Sequence, residues 1–428
     1  MSTRDADFTP KSKELIAKRA GYRCSYPGCD ESTIGPGAGP DDVENKGVAA
    51  HIYAASKGPR APRGTGGLSP DERSSSSNGI WMCKDHSDII DIEKGKNYPA
   101  AVLQSWKALH EMRIAREVNK APIGQGHWLE KITLETNPLF PKGSSLILGK
   151  VTLIIGRNGS GKSALCEWIS GCSGNGDDLD RWGKASDDIQ IWIRMGLIVP
   201  ERVEFSMKFK NYSMFSEYQG KKTLDIAHCT RVHYQKGKWL VREEHEDDDL
   251  EYLARVWRIE KLQVEQVIEH ITSSKYGCIE MAKFRPRKYD DDDEEDDEPH
   301  RVVKPRRGRG PQVLWIQFSG RQFDISFEGL SESEQEQVII SGAIVIADLT
   351  SQNSGALLLL DFGGMLDDNT LSEYAERLQS GDFNFQTILV AANERPKVNW
   401  TGWSIVRLVG EQPDVKIKQD SIGHEDSQ

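Results

Sequence analysis

The chain has 428 residues, 37% of them hydrophobic, and a formal net charge of −11 at pH 7. This length predicts two or three domains with their own cores, at roughly 150 residues each. No stretch approaches the length of an apolar membrane span and the N-terminus lacks the apolar core of a signal peptide, so we expect a cytoplasmic protein with no membrane partner. Seven scattered cysteines exclude a disulfide framework and make any close Cys/His cluster a metal candidate.

The negative charge is concentrated in one place. Nine acids form an uninterrupted run at residues 290–298, and without them the chain is close to neutral. The net charge therefore does not exclude a DNA-binding surface elsewhere on the molecule.

Composition predicts an N-terminal domain over residues 1–118. It is rich in Gly, Ser and Pro and closes with a helical pattern at 98–118. Two short spacings, C-x4-C and C-x2-H, are typical of a tetrahedral zinc site that holds loops together in a small domain. The predicted zinc ligands are Cys24, Cys29, Cys83 and His86.

The residues between the two metal pairs resemble the HNH endonucleases, a ββα-metal fold. The matching segments are "VAAHI", "NGIWMC" and "CKDHSDIID", and the resemblance covers about residues 12–115. It implies that His51 is the general base, since an unperturbed imidazole pKa of about 6.5 suits proton transfer at neutral pH. It also implies that Asn78 fixes the loop near His51 and that Mg²⁺ or Mn²⁺ stabilises charge on the scissile phosphate.

The assignment of His86 has two alternatives. In the common form of the motif the fourth zinc ligand and the catalytic-metal histidine are consecutive, and here they fall on His86 and Ser87. We favour His86 on zinc, with Asp91 near the catalytic metal because four residues separate it from Ser87 on one helical face. In the alternative, His86 binds the catalytic metal and the zinc site lacks a ligand. Ala50 also replaces the acid often found before the first histidine.

The loop between His51 and Asn78 carries four cations without large apolar neighbours, which is typical of phosphate contacts from a flexible loop and equally of ordinary surface residues. These DNA-contact candidates are Lys57, Arg60, Arg63 and Arg73.

Residues 119–127 are predicted to be a linker, and 128–428 an α/β domain in which strand-like runs alternate with helix-like segments. The segment "GRNGSGKS" follows an apolar strand and precedes a helical pattern, which is the setting of a phosphate-binding loop. Its backbone amides would surround the phosphates of ATP, Lys162 would reach the β- and γ-phosphates, and Ser163 would bind magnesium. The remaining nucleotide-contact candidates here are Gly156, Asn158, Gly159, Ser160 and Gly161.

The run "LLLLDFGG" predicts a buried central strand that ends at Asp361, where open α/β sheets place ligands. Asp361 is the second predicted magnesium ligand, opposite Ser163. The protein-kinase interpretation of "DFG" fails because no H-R-D loop precedes it.

Four ordered segments resemble the ABC or SMC-like ATPases over about residues 126–411. They are the phosphate loop, "GLSESEQEQVIISGAIVIA" as signature and helix, the leucine run followed by "MLDD", and "TILVAANE" as switch strand. The resemblance implies two ATPase domains that sandwich two nucleotides, and therefore self-association as a dimer or higher oligomer. It carries over Ser331 of the signature, but the glutamate expected after Asp361 is Phe362 and the switch histidine is Asn393. Hydrolysis is therefore expected to be slow or to use another carboxylate such as Asp367.

An inserted segment at about 243–310 interrupts the ATPase. It carries one predicted amphipathic helix at 249–271, the acidic run and the basic "KPRRGRG". SMC-like proteins insert their arms at this point, but this insertion is too short for a long coiled coil.

Together these features predict a nucleotide-regulated, metal-dependent DNA endonuclease that dimerises on ATP. The fusion resembles ATPase-nuclease effectors of bacterial anti-phage defence. A separate regulatory or sensor protein stays open as a partner. Two other functions stay open: a restriction or repair ATPase with DNA-stimulated hydrolysis, and a DNA-binding clamp with degenerate sites. Double-stranded DNA is the expected target, and RNA remains an alternative.

Overall fold

The structure is a computed structural model. The residues it describes are 5–29, 31–59, 61–118, 128–185, 189–198, 202–211, 213–218, 220–223, 230–237, 241–243, 248–287, 311–352, 354–361, 366–412 and 414–419. Arg60, the predicted linker, the acidic run, the basic segment and Phe362 lie outside these ranges.

The N-terminal part is a small loop-rich unit built around an antiparallel hairpin. The two hairpin strands pair from Gly47 with Cys83 to His51 with Gly79, and a short helix follows directly. A long C-terminal helix covers the hairpin and supplies Trp106 and Leu103 to its core. The elements are α1 (Pro10–Arg19), β1 (Ile34–Pro36), β2 (Val43–Asn45), β3 (Gly47–His51), α2 (Pro70–Ser74), β4 (Gly79–Cys83), α3 (Lys84–Ile89) and α4 (Ala100–Val118).

The rest of the chain contains two six-stranded sheets with a helix between them. The first begins with β5 (Trp128–Thr136) and β6 (Ser144–Ile147) and includes β8 (Gln190–Ile198), β9 (Arg202–Lys210), β10 (Ser213–Tyr218) and β11 (Lys221–Thr223). Its order is β11-β10-β9-β8-β5-β6, and each pair of neighbouring strands is antiparallel.

The second sheet carries the nucleotide loop. Its strands are β7 (Val151–Gly156), β12 (Thr230–Lys236), β16 (Gly355–Asp361), β17 (Gln386–Ala391), β18 (Ser404–Val409) and β19 (Lys416–Gln419). The order is β12-β16-β17-β7-β18-β19, parallel except for β19. The parallel order brings the carboxyl ends of β7, β12, β16 and β17 to one edge, as the α/β prediction requires.

The leucine run is buried on both faces of this sheet. Leu357 and Leu359 pack in the layer with α5 (Lys162–Cys172) and the first sheet, whereas Leu358 and Leu360 pack on the opposite layer. Side chains of a strand alternate between faces, so a strand covered on both sides reads as a continuous apolar run. This burial explains why Asp361 is the first polar group of the strand.

The opposite layer contains the inserted helices and the signature helix. It includes α7 (Asp249–Trp257), α8 (Lys261–Ile271), α9 (Glu332–Ser351) and α10 (Asp368–Gln379), with a small sheet of β13 (Ile279–Pro286), β14 (Gln312–Phe318) and β15 (Ile325–Ser326). The remaining helix, α6 (Asp180–Ala185), lies beside α5.

The prediction of one helix over 249–271 is wrong. Arg258 adopts a left-handed conformation with φ of 56°, and Glu260 starts α8 with a capping box, so the chain forms two helices. Their apolar faces belong to the core, and Trp257 donates a hydrogen bond to the carbonyl of Ile339 at 3.1 Å. The two helices are therefore part of the core of the α/β domain and do not project as an arm.

The two predicted domains contact each other directly. Ile198, at the end of β8, belongs to the hydrophobic core of the N-terminal unit, and Ile147 packs against that core. A Cβ at Gly149 would lie 3.3 Å from the Cβ of Ala101 on α4, so the approach is close.

Across the described ranges, no helix combines the length and apolar character needed to cross a membrane.

Candidate functional site

The nucleotide cleft lies at the carboxyl edge of the parallel sheet. β7 ends at Gly156 and α5 starts at Lys162, which confirms the strand-loop-helix setting of the phosphate loop. Gly159 and Gly161 have φ of 82° and 91°, a conformation that favours glycine. The cleft has a volume of about 780 Å³, and its lining includes Asn158, Gly159, Gly161, Lys162, Ser163 and Asp361.

Lys162 is bound to its own loop. Its ammonium donates to the carbonyls of Gly156 at 2.5 Å and Arg157 at 2.9 Å. Burial lowers its pKa, and the nearby charge of Asp361 opposes that shift. A bound phosphate would replace two neutral acceptors with a charged one, which is the stronger partner for an ammonium.

Asp361 ends β16 and lines the cleft together with Ser163, and their role as a pair of magnesium ligands stays a prediction. One of its oxygens, Oδ2, accepts a hydrogen bond from the Tyr234 hydroxyl at 3.0 Å. Burial raises the pKa of Tyr234, so this hydroxyl stays a donor and fixes the carboxylate. The two side chains supply the hydroxyl and carboxylate oxygens that magnesium uses in phosphate loops, so the donor set fits the ion.

A charged cluster borders the cleft next to α5. The buried Glu167 accepts from the indole of Trp182 at 3.0 Å, from Arg181 at 2.5 Å and from Lys236. Arg181, Trp182 and Lys236 also line the cleft. This cluster supplies positive charge and an aromatic surface beside the space predicted for the nucleotide. No local sequence pattern indicated it.

Two other predicted nucleotide residues, Ser331 and Asn393, are not part of the cleft lining. Ser331 caps the start of α9, where its hydroxyl exchanges hydrogen bonds with Glu334, and it lies exposed outside the cleft. Asn393 is exposed just after β17. A role for either residue across a dimer stays a prediction.

The prediction that Asp367 supplies the carboxylate for hydrolysis meets a structural difficulty. Asp367 caps α10, where it accepts from the amides of Asn369 and Thr370 at 2.9 and 3.1 Å and from the Thr370 hydroxyl at 2.6 Å. The hydroxyl is the main reason that its pKa is lowered. Both oxygens are engaged in the cap, and Asp367 is not part of the cleft lining.

The four predicted zinc ligands come together in the N-terminal unit. The ligand atoms of Cys24, Cys29, Cys83 and His86 all lie within 4.8 Å of one another. His86 presents Nδ1 to Cys83 Sγ at 3.0 Å and to Cys24 Sγ at 3.7 Å, and Tyr26 stacks on its imidazole with ring centroids 3.9 Å apart.

The local fold explains this convergence. Cys83 ends β4 and precedes α3, so that His86 falls in the first turn of that helix beside it. Three thiolates and one imidazole match a closed tetrahedral zinc site, so the donor set fits the predicted ion. That the metal is zinc stays a prediction. The geometry places His86 with the three cysteines, which favours the alternative in which His86 is the fourth ligand of this site.

His51 lies at the end of β3, covered by the N-terminal segment. Its Nε2 donates to the carbonyl of Ala6 at 2.9 Å, and Phe8 stacks on its ring with centroids 3.7 Å apart. A proton on Nε2 leaves the basic lone pair of a neutral imidazole on Nδ1. The sequence offered no signal for this N-terminal cover.

Asn78 precedes β4 and is buried. Its amide donates to the carbonyls of Tyr53 and Arg73, both at 2.9 Å, and its oxygen accepts from the amide of Tyr53 at 2.9 Å. The side chain thus ties the loop after His51 to the segment before β4, which is the loop-fixing arrangement expected of Asn78.

Arg63 is an internal cross-link. It is 6% exposed and donates to the carbonyls of Ile52 at 2.6 Å, Ile90 at 2.7 Å and His51 at 3.0 Å, and to Asp91 at 2.5 Å. The prediction that it contacts DNA from a flexible loop is therefore wrong, because its guanidinium is buried and engaged.

The prediction is also wrong for Arg73. This side chain is fully buried, with hydrogen bonds to the carbonyls of Ala54 at 2.9 Å and Ala55 at 3.0 Å and to the carboxylate of Asp5 at 3.0 Å. Lys57 is exposed and stays a candidate, and Arg60 lies outside the described residues.

The predicted position of Asp91 on the helix after Ser87 is wrong as well. α3 ends at Ile89, and the carboxylate of Asp91 pairs with Arg63. Ser87 is buried and donates to the carbonyl of Lys84 at 2.7 Å. Among the described residues, no second group of three or more Cys, His, Asp or Glu forms a candidate metal site, so the donors do not fit a catalytic metal in the usual HNH position.

No protein-family model and no curated protein matches the chain. Its structural neighbours are SMC heads and RecF. An SMC head bound to the C-winged helix domain of ScpA is 14% identical, covers 69% of this chain and 98% of that chain, and has a TM-score of 0.48. An SMC head with an extended coiled coil from Pyrococcus furiosus is 13% identical, with coverages of 69% and 97% and a TM-score of 0.46. The recombination mediator protein RecF with ATP is 15% identical, with coverages of 70% and 99% and a TM-score of 0.41. These scores are below 0.5, so the assignment of the cleft rests on the strand order and loop geometry of this chain.

Proposed function

We propose that this chain is an ATP-binding, self-associating ATPase that acts on DNA, with an N-terminal module that hydrolyses phosphodiester bonds. The observation that carries the nucleotide part is the cleft itself. It places Lys162, Ser163 and Asp361 around one space at the carboxyl edge of a parallel sheet. This arrangement suits a magnesium-bound nucleoside triphosphate.

ATP is proposed to favour a closed dimer. Ser331 lies exposed at the start of α9 and outside the cleft of its own chain. That position suits contact with a nucleotide held by a second copy. Nucleotide can then control the N-terminal module only by binding the closed state more tightly than the open one.

The nuclease part rests on His51. With the proton on Nε2 directed to Ala6, Nδ1 is the basic atom. In the proposed step, Nδ1 takes a proton from water as the water oxygen forms a bond to phosphorus and the bond to the leaving sugar oxygen breaks. The leaving oxygen takes a proton from solvent. No step is assigned to Asp91 or to a bound metal, because the donors near His51 do not form the usual site.

A specific observation favours a second function. Ala50 stands where an acid often precedes the first histidine, Ser87 stands at the position of the usual catalytic-metal histidine, and Asp91 is paired with Arg63. The N-terminal module would then bind DNA without cutting it, and the chain would act as an ATP-dependent clamp. The proposed role in anti-phage defence applies to either function and stays a prediction.

Cleavage of supercoiled plasmid separates the two functions. The assay contains Mg²⁺ or Mn²⁺, with and without ATP, and compares the wild type with His51→Ala and Lys162→Ala. Exposed residues of the same types give the matched controls His270→Ala and Lys142→Ala. We expect a loss of at least about 100-fold in His51→Ala, and cleavage that no longer responds to ATP in Lys162→Ala.

If the wild type binds plasmid in a gel-shift assay but never nicks it, the nuclease proposal is wrong and the clamp is the function to retain. If the wild type does not bind ATP, the proposal for the cleft is wrong.

A further inference from the structure

Glu336 is a buried acid in the wall of the nucleotide cleft. It lies one turn into α9, is 2% exposed, and lines the same space as Lys162, Ser163 and Asp361. The sequence motifs give it no role, because the recognisable signature ends before it.

One of its carboxylate oxygens has no internal partner. The backbone of Leu366 donates a hydrogen bond to the carboxylate, but Oε2 has none within the part of the chain that the structure describes. Burying a charged group without full hydrogen bonding is costly, and such groups cluster at functional sites. Because Glu336 lines the cleft, its carboxyl group lies next to the space that a bound molecule would occupy.

The other candidate positions for a catalytic carboxylate do not supply one that can take a proton from water. Phe362 follows Asp361 where related ATPases have a glutamate, and a phenyl ring cannot take a proton from water. Asp367 uses both oxygens to cap α10. Asp361 is the predicted magnesium ligand. Glu336 is the remaining acid among the described residues that line the cleft.

From this geometry we infer that Glu336 is the catalytic carboxylate of ATP hydrolysis, and that it binds the attacking water and takes its proton. The inference rests on the proposed binding of ATP. The water oxygen forms a bond to the γ-phosphorus as the bond between that phosphorus and the bridging oxygen of ADP breaks. The proton passes to Glu336 and then to solvent, and ADP and phosphate are released.

The ionisation of Glu336 agrees with this role. Burial raises its pKa to about 7, and Arg395 and the Leu366 hydrogen bond act in the opposite direction. A general base is most effective when its pKa lies near the working pH. The charged groups around it are Arg395 after β17, Asp361 on β16, Lys162 on α5, Lys236 on β12 and Arg181 on α6.

The test measures phosphate release and ATP binding by the full-length chain with magnesium. Wild type is compared with Glu336→Gln and with Glu376→Gln, which changes an exposed glutamate on α10 outside the cleft lining. We expect Glu336→Gln to lower kcat at least about 100-fold while the Kd for ATP changes less than about threefold. Glu376→Gln should stay within about threefold of the wild-type kcat.

The pH profile of the wild type gives a readout that does not depend on the variant folding. Its kcat should rise through a single ionisation near pH 7, the pKa of Glu336. A purely structural carboxylate would leave kcat of Glu336→Gln near the wild-type value, and that result overturns the inference. A wild type that binds ATP and releases no phosphate overturns it too, but leaves ATP binding in place. A wild type that does not bind ATP removes the proposed function itself.

Discussion

In the nucleotide cleft, Lys162, Asp361 and Glu336 line open space at the ends of parallel strands, whereas in the N-terminal module Arg63 and Arg73 point inward and bond main-chain carbonyls. The difference follows from how each region is built. The α/β region has a large apolar core that holds its backbone, so its charged residues can face a ligand. The N-terminal region has long loops and a small core, and it uses buried arginines to hold those loops together.

The largest expected effect is on the metal site that replaces a large core in the N-terminal module. Cys83→Ser should lose the bound metal and unfold this module, because structural zinc contributes about 10–16 kcal/mol in small domains. Elemental analysis should find about one zinc per wild-type chain. Hydrogen exchange over residues 47–95 should rise strongly in the variant and stay unchanged in Cys278→Ser, which alters a cysteine outside the cluster. A metal-free wild type with the same protection would contradict the zinc assignment.

The next effect tests the buried arginines. Arg63→Ala should lower the free energy of unfolding by about 2–4 kcal/mol, since it leaves the carbonyls of Ile52, Ile90 and His51 without this donor. Lys57→Ala, on the same loop but exposed, should change it by less than about 0.5 kcal/mol. Urea denaturation measures both.

Weaker DNA binding in Arg63→Ala without any loss of stability would restore the surface role that the sequence predicted and would remove the contrast between the two regions.

The smallest expected effect is a pH dependence in the cleft. The folded pKa of Glu336 is about 7 against an ordinary 4.5, so the folded state holds this proton more tightly than the unfolded state. Its contribution to stability is complete below about pH 4.5 and is lost as the pH rises through about 7. We expect this residue to account for a fall on the order of 1–3 kcal/mol between pH 5 and pH 8.

Denaturation across this pH range should give a flatter profile in Glu336→Gln than in the wild type. If the free energy of unfolding depends on pH in the same way in both proteins, the Glu336 carboxyl does not titrate near pH 7. Burial in the cleft would then not raise its pKa.

The sequence predicted the parts of the molecule that depend on local pattern. The phosphate loop, the strand ending in Asp361 and the quartet of metal ligands each have short spacings that demand one geometry, and the structure has these geometries. A continuous run of apolar residues is also a local pattern, and it indicates a strand that is buried on both faces. The strand that contains the four leucines was therefore predictable.

The errors at Arg63 and Arg73 involve contacts between residues far apart in the chain. Arg63 looks like a surface cation until Ile90 and Asp91 fold over it, and Arg73 until Asp5 reaches it. Glu336 was missed because α9 gives no local sign of which residue faces the cleft. Arg258 broke the predicted helix through a left-handed conformation that a non-glycine residue seldom adopts.

The contact of Ile198 and Ile147 with the N-terminal core has a practical consequence for dissecting the protein. Cutting the chain between residues 118 and 128 would separate these apolar residues from the N-terminal core. Each half would then expose an apolar surface that is buried in the intact chain. Expression trials with separate halves should therefore give less soluble material than the intact chain, and substitutions in the whole protein are the better way to assign activities to its parts.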